Sequence, residues 1–410
     1  MSEWPAKRME ELCEITSSKR IFAADYVSEG VPFYRGKEIT EKYKGNLDVS
    51  TELFITEEKF TEIERKFGAP RQGDLLLTSV GTLGSPYVVK PGEQFYFKDG
   101  NLTWFRQFKE LDSLFLYYWL VSPQGKSELQ KSTIGSSQSA FTIVLLKGME
   151  IELPPLPAQR RIAGILSAYD ELIENSRRRI RLLEAIARTL YREWFVHFRF
   201  PGYEKLPRIT SALGDIPEGW GVRKLADVAD VNSAQIKPHT APDELHYIDI
   251  SSVSPGQIDT ITTYAFADAP GRARRIVQHG DVLWSCVRPN RRSHAEVMHP
   301  EPNTIASTGF AVLTARRVPF TFLYCATTTD DFVAYLTNNA TGAAYPAVTA
   351  TTFGKADLLV PTAPLLKKFG EATIPMAEQI HMLHLQVRNL RRTRDLLLPR
   401  LFTRHTKYKQ

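Results

Sequence analysis

Cysteine is scarce in this sequence of 410 residues, which contains only Cys13, Cys286 and Cys325. An odd number of isolated cysteines provides neither a disulfide framework nor the paired spacing of a zinc ribbon. Long apolar runs are also missing, since the longest extends only from Leu114 to Val121, far short of a membrane span. The first twelve residues are charged where a signal peptide would be apolar. We therefore expect a cytoplasmic protein with no membrane partner.

Motifs of cofactor binding and catalysis are missing as well. The sequence has no GxGxxG, no GxxxxGK[ST] and no N/D-P-P-F/Y run, so no familiar cradle for a dinucleotide, a triphosphate or S-adenosylmethionine is encoded. A nuclease would need clustered carboxylates to hold Mg²⁺, and the two Glu-x-Lys pairs in residues 57–66 match only half of a common nuclease pattern. The pairs His294/His299 and His381/His384 could bind a metal, but we interpret them as surface or helix-pair histidines. We expect no catalytic residue, no metal and no cofactor in this chain.

Charge is distributed unevenly along the sequence. The whole chain has 52 Lys and Arg against 46 Asp and Glu, a formal net charge of +6. The net charge is −3 for residues 1–153 and −2 for 201–360, but +4 for 154–200 and +7 for 361–410. An excess of basic residues suggests an anionic partner such as nucleic acid. Because the two large segments are slightly acidic, they would have to contact nucleic acid through local patches.

The sequence repeats itself with a period of 207 residues. Residues 73–75 (GDL) return as 280–282 (GDV), and residues 115–117 (FLY) return as 322–324. A repeat this long is a duplicated module rather than a solenoid unit. Each copy opens with about 150 residues of short apolar runs bounded by Gly, Pro, Asn and Asp, a pattern that predicts a mixed α/β domain rich in strands.

Each copy ends in a segment whose apolar residues recur at alternating steps of four and three. A seam of 3.5-residue period favours pairing with a second helix. We therefore predict an antiparallel coiled coil of two helices of about 40 residues, roughly 60 Å long; docking of each helix on its own globular part is the alternative. The predicted seam consists of Ile162, Leu166, Tyr169, Ile173, Ile180, Leu183, Leu190, Trp194, Met376, Ile380, Leu383, Val387, Leu390, Leu397 and Leu401.

The predicted fold class is α+β, with two similar mixed α/β domains separated by two long helices and related by a pseudo-twofold internal repeat. Antiparallel pairing of the helices would mirror the dyad of duplex DNA. The predicted segments are a first domain, a central helical spacer, a linker, a second domain and a C-terminal helical spacer, at residues 1–153, 154–200, 201–219, 220–360 and 361–410 respectively.

Three stretches carry a resemblance to a known family. The run LPPLPAQRRI at 153–162, the helix end WFVHF at 194–198 and the segment FPGYE at 200–204 resemble the specificity subunits of type I restriction-modification systems. The resemblance covers essentially the whole chain. It implies a non-catalytic subunit with two target-recognition domains, each reading one half of a split sequence in double-stranded DNA.

The resemblance also implies partner chains. The helices would bind two adenine-methyltransferase (modification) subunits, with restriction subunits in the full complex. S-adenosylmethionine, ATP and Mg²⁺ would then be bound by those partners. The main rival is a coiled-coil scaffold or adaptor that binds proteins only, and the missing motifs disfavour a third possibility, a single-chain enzyme.

Candidate DNA contacts lie in loops that follow predicted strands. Arg can grip guanine or phosphate with two hydrogen bonds, and Asn can do the same for adenine. The equivalent loop of the first copy is uncharged, and its hydroxyls and amides could contact phosphate. Solvated turns are the alternative in each case. The predicted DNA-binding residues are Thr78, Ser79, Thr82, Ser136, Ser137 and Gln138 in the first copy and Arg272, Arg274, Arg275, Ser285, Arg288, Asn290, Arg291, Arg292 and Tyr345 in the second.

Overall fold

The chain divides into two compact units. Unit 1 comprises Met1–Ser176 with Gln386–Gln410, and unit 2 comprises Arg177–Leu385. Each unit contains one globular part and a portion of each long helix. The computed structural model describes residues 4–46, 49–134, 139–211, 214–237, 239 and 241–402.

Unit 1 is a mixed α/β structure. Among its described residues, the strands are β1 (Ala6–Arg8), β2 (Glu14–Thr16), β3 (Val31–Tyr34), β4 (Phe54–Ile55), β5 (Leu75–Thr78), β6 (Pro86–Val88), β7 (Tyr96–Phe97), β8 (Leu102–Arg106), β9 (Thr133–Ile134), β10 (Ala140–Phe141) and β11 (Glu150–Glu152). The helices are α1 (Met9–Leu12), α2 (Gly36–Tyr43), α3 (Glu57–Phe67), α4 (Ser113–Val121), α5 (Pro123–Lys131), α6 (Ile143–Lys147) and α7 (Leu156–Tyr191), the last of which continues into unit 2.

The main sheet of unit 1 is antiparallel with strand order β2-β8-β5-β6. Its central strand β5 has the sequence LLLT and is buried at every position, as expected of a short apolar run covered on both faces. A smaller sheet, β4-β3-β7, contains the parallel pair β3 and β7. The outer pair β1 and β11 joins the start of the globular part to the residues just before α7.

Unit 2 is built in the same way. Its described strands are β12 (Arg208–Ser211), β13 (Gly214–Pro217), β14 (Gly221–Lys224), β15 (Ala229–Val231), β16 (Glu244–Ile248), β17 (Val253–Ser254), β18 (Gln257–Ile258), β19 (Thr262–Ala265), β20 (Ala273–Ile276), β21 (Asp281–Ser285), β22 (His294–Val297), β23 (Thr304–Ser307), β24 (Phe310–Ala315) and β25 (Asp357–Val360). The helices are α8 (Leu225–Val228), α9 (Phe320–Thr327), α10 (Asp330–Asn338), α11 (Ala350–Lys355) and α12 (Ala363–Leu401), which continues into unit 1.

The main strand pairings of unit 1 recur in unit 2. The order β15-β24-β21-β22 repeats β2-β8-β5-β6, and the pair β14-β25 repeats β1-β11. The parallel pair β16 and β23 repeats β3 and β7, within a sheet of order β19-β16-β23-β20. The hairpin β12-β13 lies in the segment predicted as a linker. The duplicated mixed α/β module predicted from the 207-residue period is therefore confirmed.

The two long helices run in opposite directions within each unit. In unit 1, Leu166 and Leu397 belong to one apolar cluster, and Asp170 forms an ion pair with Arg394. In unit 2, the end of α7 meets the start of α12, where the rings of Tyr191 and Phe369 are 6.2 Å apart. The predicted antiparallel pairing is confirmed in both units. All the predicted seam residues are buried or partly buried.

One polar residue interrupts the seam of α12, and the structure accounts for it. The guanidinium of Arg394 donates to the carboxylate of Asp170 in α7, and that carboxylate also accepts a hydrogen bond of 2.7 Å from the Tyr118 hydroxyl. The charge is therefore paired where it is partly removed from water. Among the described residues, no helix is long and apolar enough to cross a membrane.

Candidate nucleic-acid interface

Two loops that the sequence predicted separately lie against each other in unit 2. We call residues 286–292, which follow β21, the arginine loop, and residues 341–345 the tyrosine loop. The amide of Arg288 donates to the carbonyl of Pro346 at 2.7 Å, and the amide of Val348 donates to the carbonyl of Cys286 at 2.9 Å. Because these bonds join the base of one loop to the base of the other, the two loops form one surface.

The backbone of the arginine loop presents its tip to solvent. Arg288 and Arg292 have φ values of 50° and 56°, in the left-handed region, and Pro289–Arg291 form a single 3₁₀ turn between them. Such a conformation costs a residue with a side chain about 1–3 kcal/mol and persists only where the surroundings hold it. Asn290 and Arg291, at the tip, are exposed.

Arg288 is held in a defined orientation by the tyrosine loop. Its guanidinium carbon lies 4.7 Å from the centre of the Tyr345 ring, and Nη2 donates to the carbonyl of Ala344 at 3.1 Å. The Tyr345 side chain is 69% exposed. Arg has five N–H donors in a rigid plane, so this arrangement leaves donors available for an acceptor while the stacking restricts the rotamer.

The remaining arginines of the loop differ in their surroundings. Arg292 forms an ion pair with Asp330 at the start of α10, so its charge is balanced within unit 2. The amide of Arg291 donates to the carbonyl of Arg288 at 2.9 Å, but its exposed side chain forms no hydrogen bond or ion pair with the residues that the structure describes. The loop therefore offers one unpaired cation at its tip and one stacked cation at its base.

The second basic set of the second copy, Arg272, Arg274 and Arg275, adjoins the same surface. Arg272 precedes β20, and its carbonyl accepts a hydrogen bond from the amide of Thr308 at 2.8 Å. The carbonyl of Gly309, the residue after Thr308, accepts a hydrogen bond from the amide of Cys286 in the arginine loop. Burial raises the pKa of the Cys286 thiol to about 11, and the nearby charge of Arg275 opposes part of that rise. The structure thus brings Arg272 and the strand β20 to the base of the arginine loop. Within that strand, Arg274 stacks on Phe266 at 5.4 Å.

Three hydroxyl groups that were predicted to contact DNA form hydrogen bonds within the protein instead. Thr78 Oγ1 accepts from the amide of Ser85 at 2.9 Å, and Ser79 Oγ is 2.7 Å from Thr103 Oγ1. Ser285, the counterpart of Thr78, is 1% exposed and donates to a carbonyl of its own loop. These side chains shape the ends of β5 and β21. We do not include them in the interface proposed below, because buried hydroxyls cannot reach a phosphate.

The loop that follows β5 in the first copy has main-chain hydrogen bonds like those of the arginine loop, but it carries no charged side chain. The amide of Ser79 donates to the carbonyl of Asn101 at 2.8 Å, and the amide of Phe141 donates to the carbonyl of Ser79 at 3.1 Å. Thr82 is exposed and remains a candidate contact. The other candidates of this copy, Ser136, Ser137 and Gln138, lie outside the described residues.

Sequence reasoning missed two basic residues in unit 1. Gly36 begins α2, and a Cβ built on it would lie 3.8 Å from the carbonyl of Val80, so the exposed Lys37 lies beside the loop. The exposed Lys98 follows β7, and its amide donates to the carbonyl of Tyr34 at the end of the paired strand β3. Lys37 comes near Val80 and Lys98 comes near the end of β3 only through contacts between distant segments, so no local pattern could have identified these lysines.

Comparison with known proteins agrees with this architecture. Residues 1–185 match the family described as "Type I restriction modification DNA specificity domain". The type I restriction enzyme MjaIX specificity subunit of Methanocaldococcus jannaschii is 23% identical, over 97% of this chain and 92% of its own length. The MjaVIII specificity subunit of the same organism is 26% identical over 56% of this chain and 54% of its own. The crystal structure of the S subunit of a type I restriction-modification system from M. genitalium has a TM-score of 0.62 at 18% identity, covering 98% of this chain and 97% of that one, and shares the fold. The chain is thus similar to the type I restriction modification DNA specificity domain over residues 1–185 and to type I restriction enzyme specificity subunits over nearly its whole length.

Proposed function

We propose that this chain recognises a bipartite sequence in double-stranded DNA and directs partner subunits to it. The observation that carries the proposal is the surface formed by the arginine loop and the tyrosine loop, in a chain that is similar to type I specificity subunits over nearly its whole length. Phosphate contacts supply affinity that does not depend on sequence, whereas contacts to base edges discriminate between sequences. The surface offers groups suited to both.

The side chains of the arginine loop are suited to different kinds of contact with DNA. Arg288, oriented by Tyr345, is suited to a bidentate contact with guanine, and Asn290 is suited to adenine. Arg291 is exposed at the tip and is suited to phosphate. Arg292 should contribute less, because Asp330 already balances its charge. A good bidentate contact discriminates against a wrong base by about 1–3 kcal/mol.

The first copy would contact DNA with backbone and hydroxyl groups. Gly81 has a φ of 79°, and a Cβ built on it would meet no heavy atom within 4 Å, so the backbone there is open to a close approach. Thr82 supplies a hydroxyl, and Lys37 and Lys98 supply positive charge beside the loop. Since the two tips differ in chemistry, the two modules would read different half-sites.

The partners follow from the same proposal. We infer that two methyltransferase subunits dock on the long helices, that restriction subunits complete the complex, and that S-adenosylmethionine, ATP and Mg²⁺ are bound by those chains. The helices carry large apolar side chains on surfaces away from the seam: Leu182 and Ile186 of α7 are 56% and 49% exposed, and Met382 of α12 is 58% exposed. Exposed apolar residues in groups are typical of surfaces that a partner covers.

The DNA-binding proposal is tested with the chain bound to its methyltransferase partner. The target is first identified by mapping methylated adenines in cells that express both chains. Binding to that target is then measured for Arg288→Ala, Arg291→Ala and the matched control Arg292→Ala. We expect Arg288→Ala to lose about 1–3 kcal/mol on the target alone, and Arg291→Ala to weaken binding to all sequences.

Salt dependence separates the proposal from the protein-only scaffold. Each phosphate contact contributes about 0.9 to the slope of log K against log salt concentration on duplex DNA, so Arg291→Ala should reduce the slope by about that amount. Unchanged affinity and slope in both Arg288→Ala and Arg291→Ala would remove the arginine loop from the interface. Turnover of S-adenosylmethionine by the isolated chain would contradict the non-catalytic role.

A further inference from the structure

Two histidines and a glutamate meet in unit 2, away from the arginine loop. His279 lies between β20 and β21, His299 lies between β22 and β23, and Glu378 projects from α12. His299 Nε2 is 2.7 Å from Glu378 Oε2, and His279 Nε2 is 3.8 Å from Glu378 Oε1. One ligand atom from each of the three residues lies within 4.8 Å of the others. Residues from three separate segments thus direct donor atoms toward one point.

We propose that His279, His299 and Glu378 bind a divalent transition-metal ion of the zinc type. Imidazole nitrogen and carboxylate oxygen are both zinc ligands, at about 2.0–2.2 Å. Tetrahedral geometry at those bond lengths places neighbouring ligand atoms about 3.4 Å apart. The observed separations of 2.7 Å and 3.8 Å lie on either side of that value. Small side-chain rotations, without backbone movement, would complete the site.

The backbone around His299 supports a role beyond surface solvation. His299 has a φ of 45°, in the left-handed region that a residue with a side chain rarely adopts. Its amide donates to Nδ1 of His279 at 3.3 Å, and the two rings are 4.4 Å apart. That contact is long, and it must open when Nε2 of His279 takes a metal, because the ring proton then moves to Nδ1. The strained loop therefore brings the two imidazoles together.

A further imidazole lies on the same helix. His381 lies three residues after Glu378 in α12, on the same face of the helix, and its ring is 5.5 Å from the ring of His299. The side chains of His279, His299 and Glu378 are 40%, 56% and 37% exposed, so an ion can enter from solvent. Three protein ligands with a water, or four protein ligands, both satisfy zinc.

The position of the site indicates a structural role. His279 precedes β21 and the arginine loop follows it, and a strand of five residues spans about 17 Å. The ion would therefore lie at the end of β21 opposite the arginine loop. It would fasten two loops of the second module to α12 within unit 2. This inference does not depend on the DNA-recognition role.

The test uses the full chain after removal of metal with a chelator. Zn²⁺ is titrated against a chromophoric competitor, and the thermal midpoint of unfolding is measured with Zn²⁺ and separately with Mg²⁺. We expect one Zn²⁺ per chain, a midpoint that rises with Zn²⁺ concentration, and no comparable rise with Mg²⁺, which prefers oxygen ligands. His279→Ala and His299→Asn should each weaken Zn²⁺ binding about tenfold or more; asparagine is chosen because it tolerates the left-handed backbone.

The control is His197→Ala, which removes an exposed histidine of unit 2 outside the cluster and should bind Zn²⁺ like the unaltered chain. If either histidine variant fails to fold, Glu378→Gln keeps the size of the side chain and removes the charged ligand, and it should show the same loss. Equal Zn²⁺ affinity in the unaltered chain and in Glu378→Gln, or an equal midpoint rise with Mg²⁺, would overturn the proposal. The cluster would then be a hydrogen-bonded His–Glu–His contact only.

Discussion

Replacing Glu296 with glutamine should remove a pH dependence from the stability of unit 2. Glu296 lies on β22, and its Oε1 is enclosed with no hydrogen-bond partner among the described residues. Burial, and then the charge of Glu184 in α7, raise the pKa of Glu296 from 4.5 to about 8. The folded protein therefore holds a proton on this carboxyl that the unfolded chain releases at pH values above about 4.5.

The sign and size of the effect follow from proton binding. Between pH 4.5 and pH 8 the folded state binds more protons than the unfolded state, so the free energy of unfolding falls as the pH rises. Each pH unit inside that window corresponds to about 1.4 kcal/mol for one proton. From pH 6.5 to pH 8, the loss attributable to Glu296 should be about 2 kcal/mol.

The range from pH 6.5 to pH 8 is chosen because His294, a neighbour on β22, offsets the stability change due to Glu296 at lower pH. Burial, and then the charges of Arg292 and Arg188, lower the pKa of His294 from 6.5 to about 4. The unfolded state therefore binds more protons at this site between pH 4 and pH 6.5, and the stability contribution of His294 rises with pH there. Below pH 6.5 the two groups offset each other, and above it the effect of Glu296 remains.

Native-state hydrogen exchange of the amides of β22 measures this local stability. After correction for intrinsic exchange rates, the unaltered chain should lose about 2 kcal/mol more than Glu296→Gln between pH 6.5 and pH 8. Glu301→Gln is the matched control, because Glu301 is a carboxyl of the same unit whose side chain is 78% exposed. Parallel pH profiles for the unaltered chain and Glu296→Gln would refute the reasoning.

Further substitutions test the packing of unit 1 by chemical denaturation. Gly125→Ala should destabilise by about 1–3 kcal/mol, because the added Cβ would lie 2.0 Å from the carbonyl oxygen of Trp119. Gly164→Ala is its control and should stabilise by up to about 1 kcal/mol, since a Cβ there meets no heavy atom within 4 Å; equal effects of the two changes would contradict the packing. Asp170→Asn should cost about 1–3 kcal/mol, because Arg394 loses the carboxylate of α7 and keeps only that of Asp395; no measurable loss would show that the pair contributes little.

The parts of the fold that the sequence predicted well are those with local or periodic signals. Heptad spacing predicted both the existence and the pairing of α7 and α12, because a residue's face on a helix depends only on its position along the chain. The repeated GDL and GDV segments fall at the starts of β5 and β21, which is why a period of 207 could be read from short matches.

The histidines show why contacts between residues far apart in the sequence could not be predicted. The sequence suggested pairing His299 with His294, which is close in the chain, but His294 is buried and stacks against Trp284 at 4.8 Å. His299 instead forms hydrogen bonds with His279 and Glu378, 20 and 79 residues away. Strand alternation sends neighbouring side chains to opposite faces, and only the packing of α12 on the module places a carboxylate between two imidazoles.

The two candidate loops share their main-chain hydrogen bonds but differ in their exposed side chains. The amides of Ser79 and Cys286, which are 207 residues apart, donate to Asn101 and Gly309 at 2.8 Å in both copies. These bonds join main-chain groups, so they set the same loop geometry whatever side chains the loop carries. The exposed residues that follow have no such constraint: the first copy presents glycine and threonine, and the second presents asparagine and arginine. The same backbone geometry therefore carries different exposed residues in the two modules. Because these residues can change without disturbing the sheets, one fold can present two different binding chemistries.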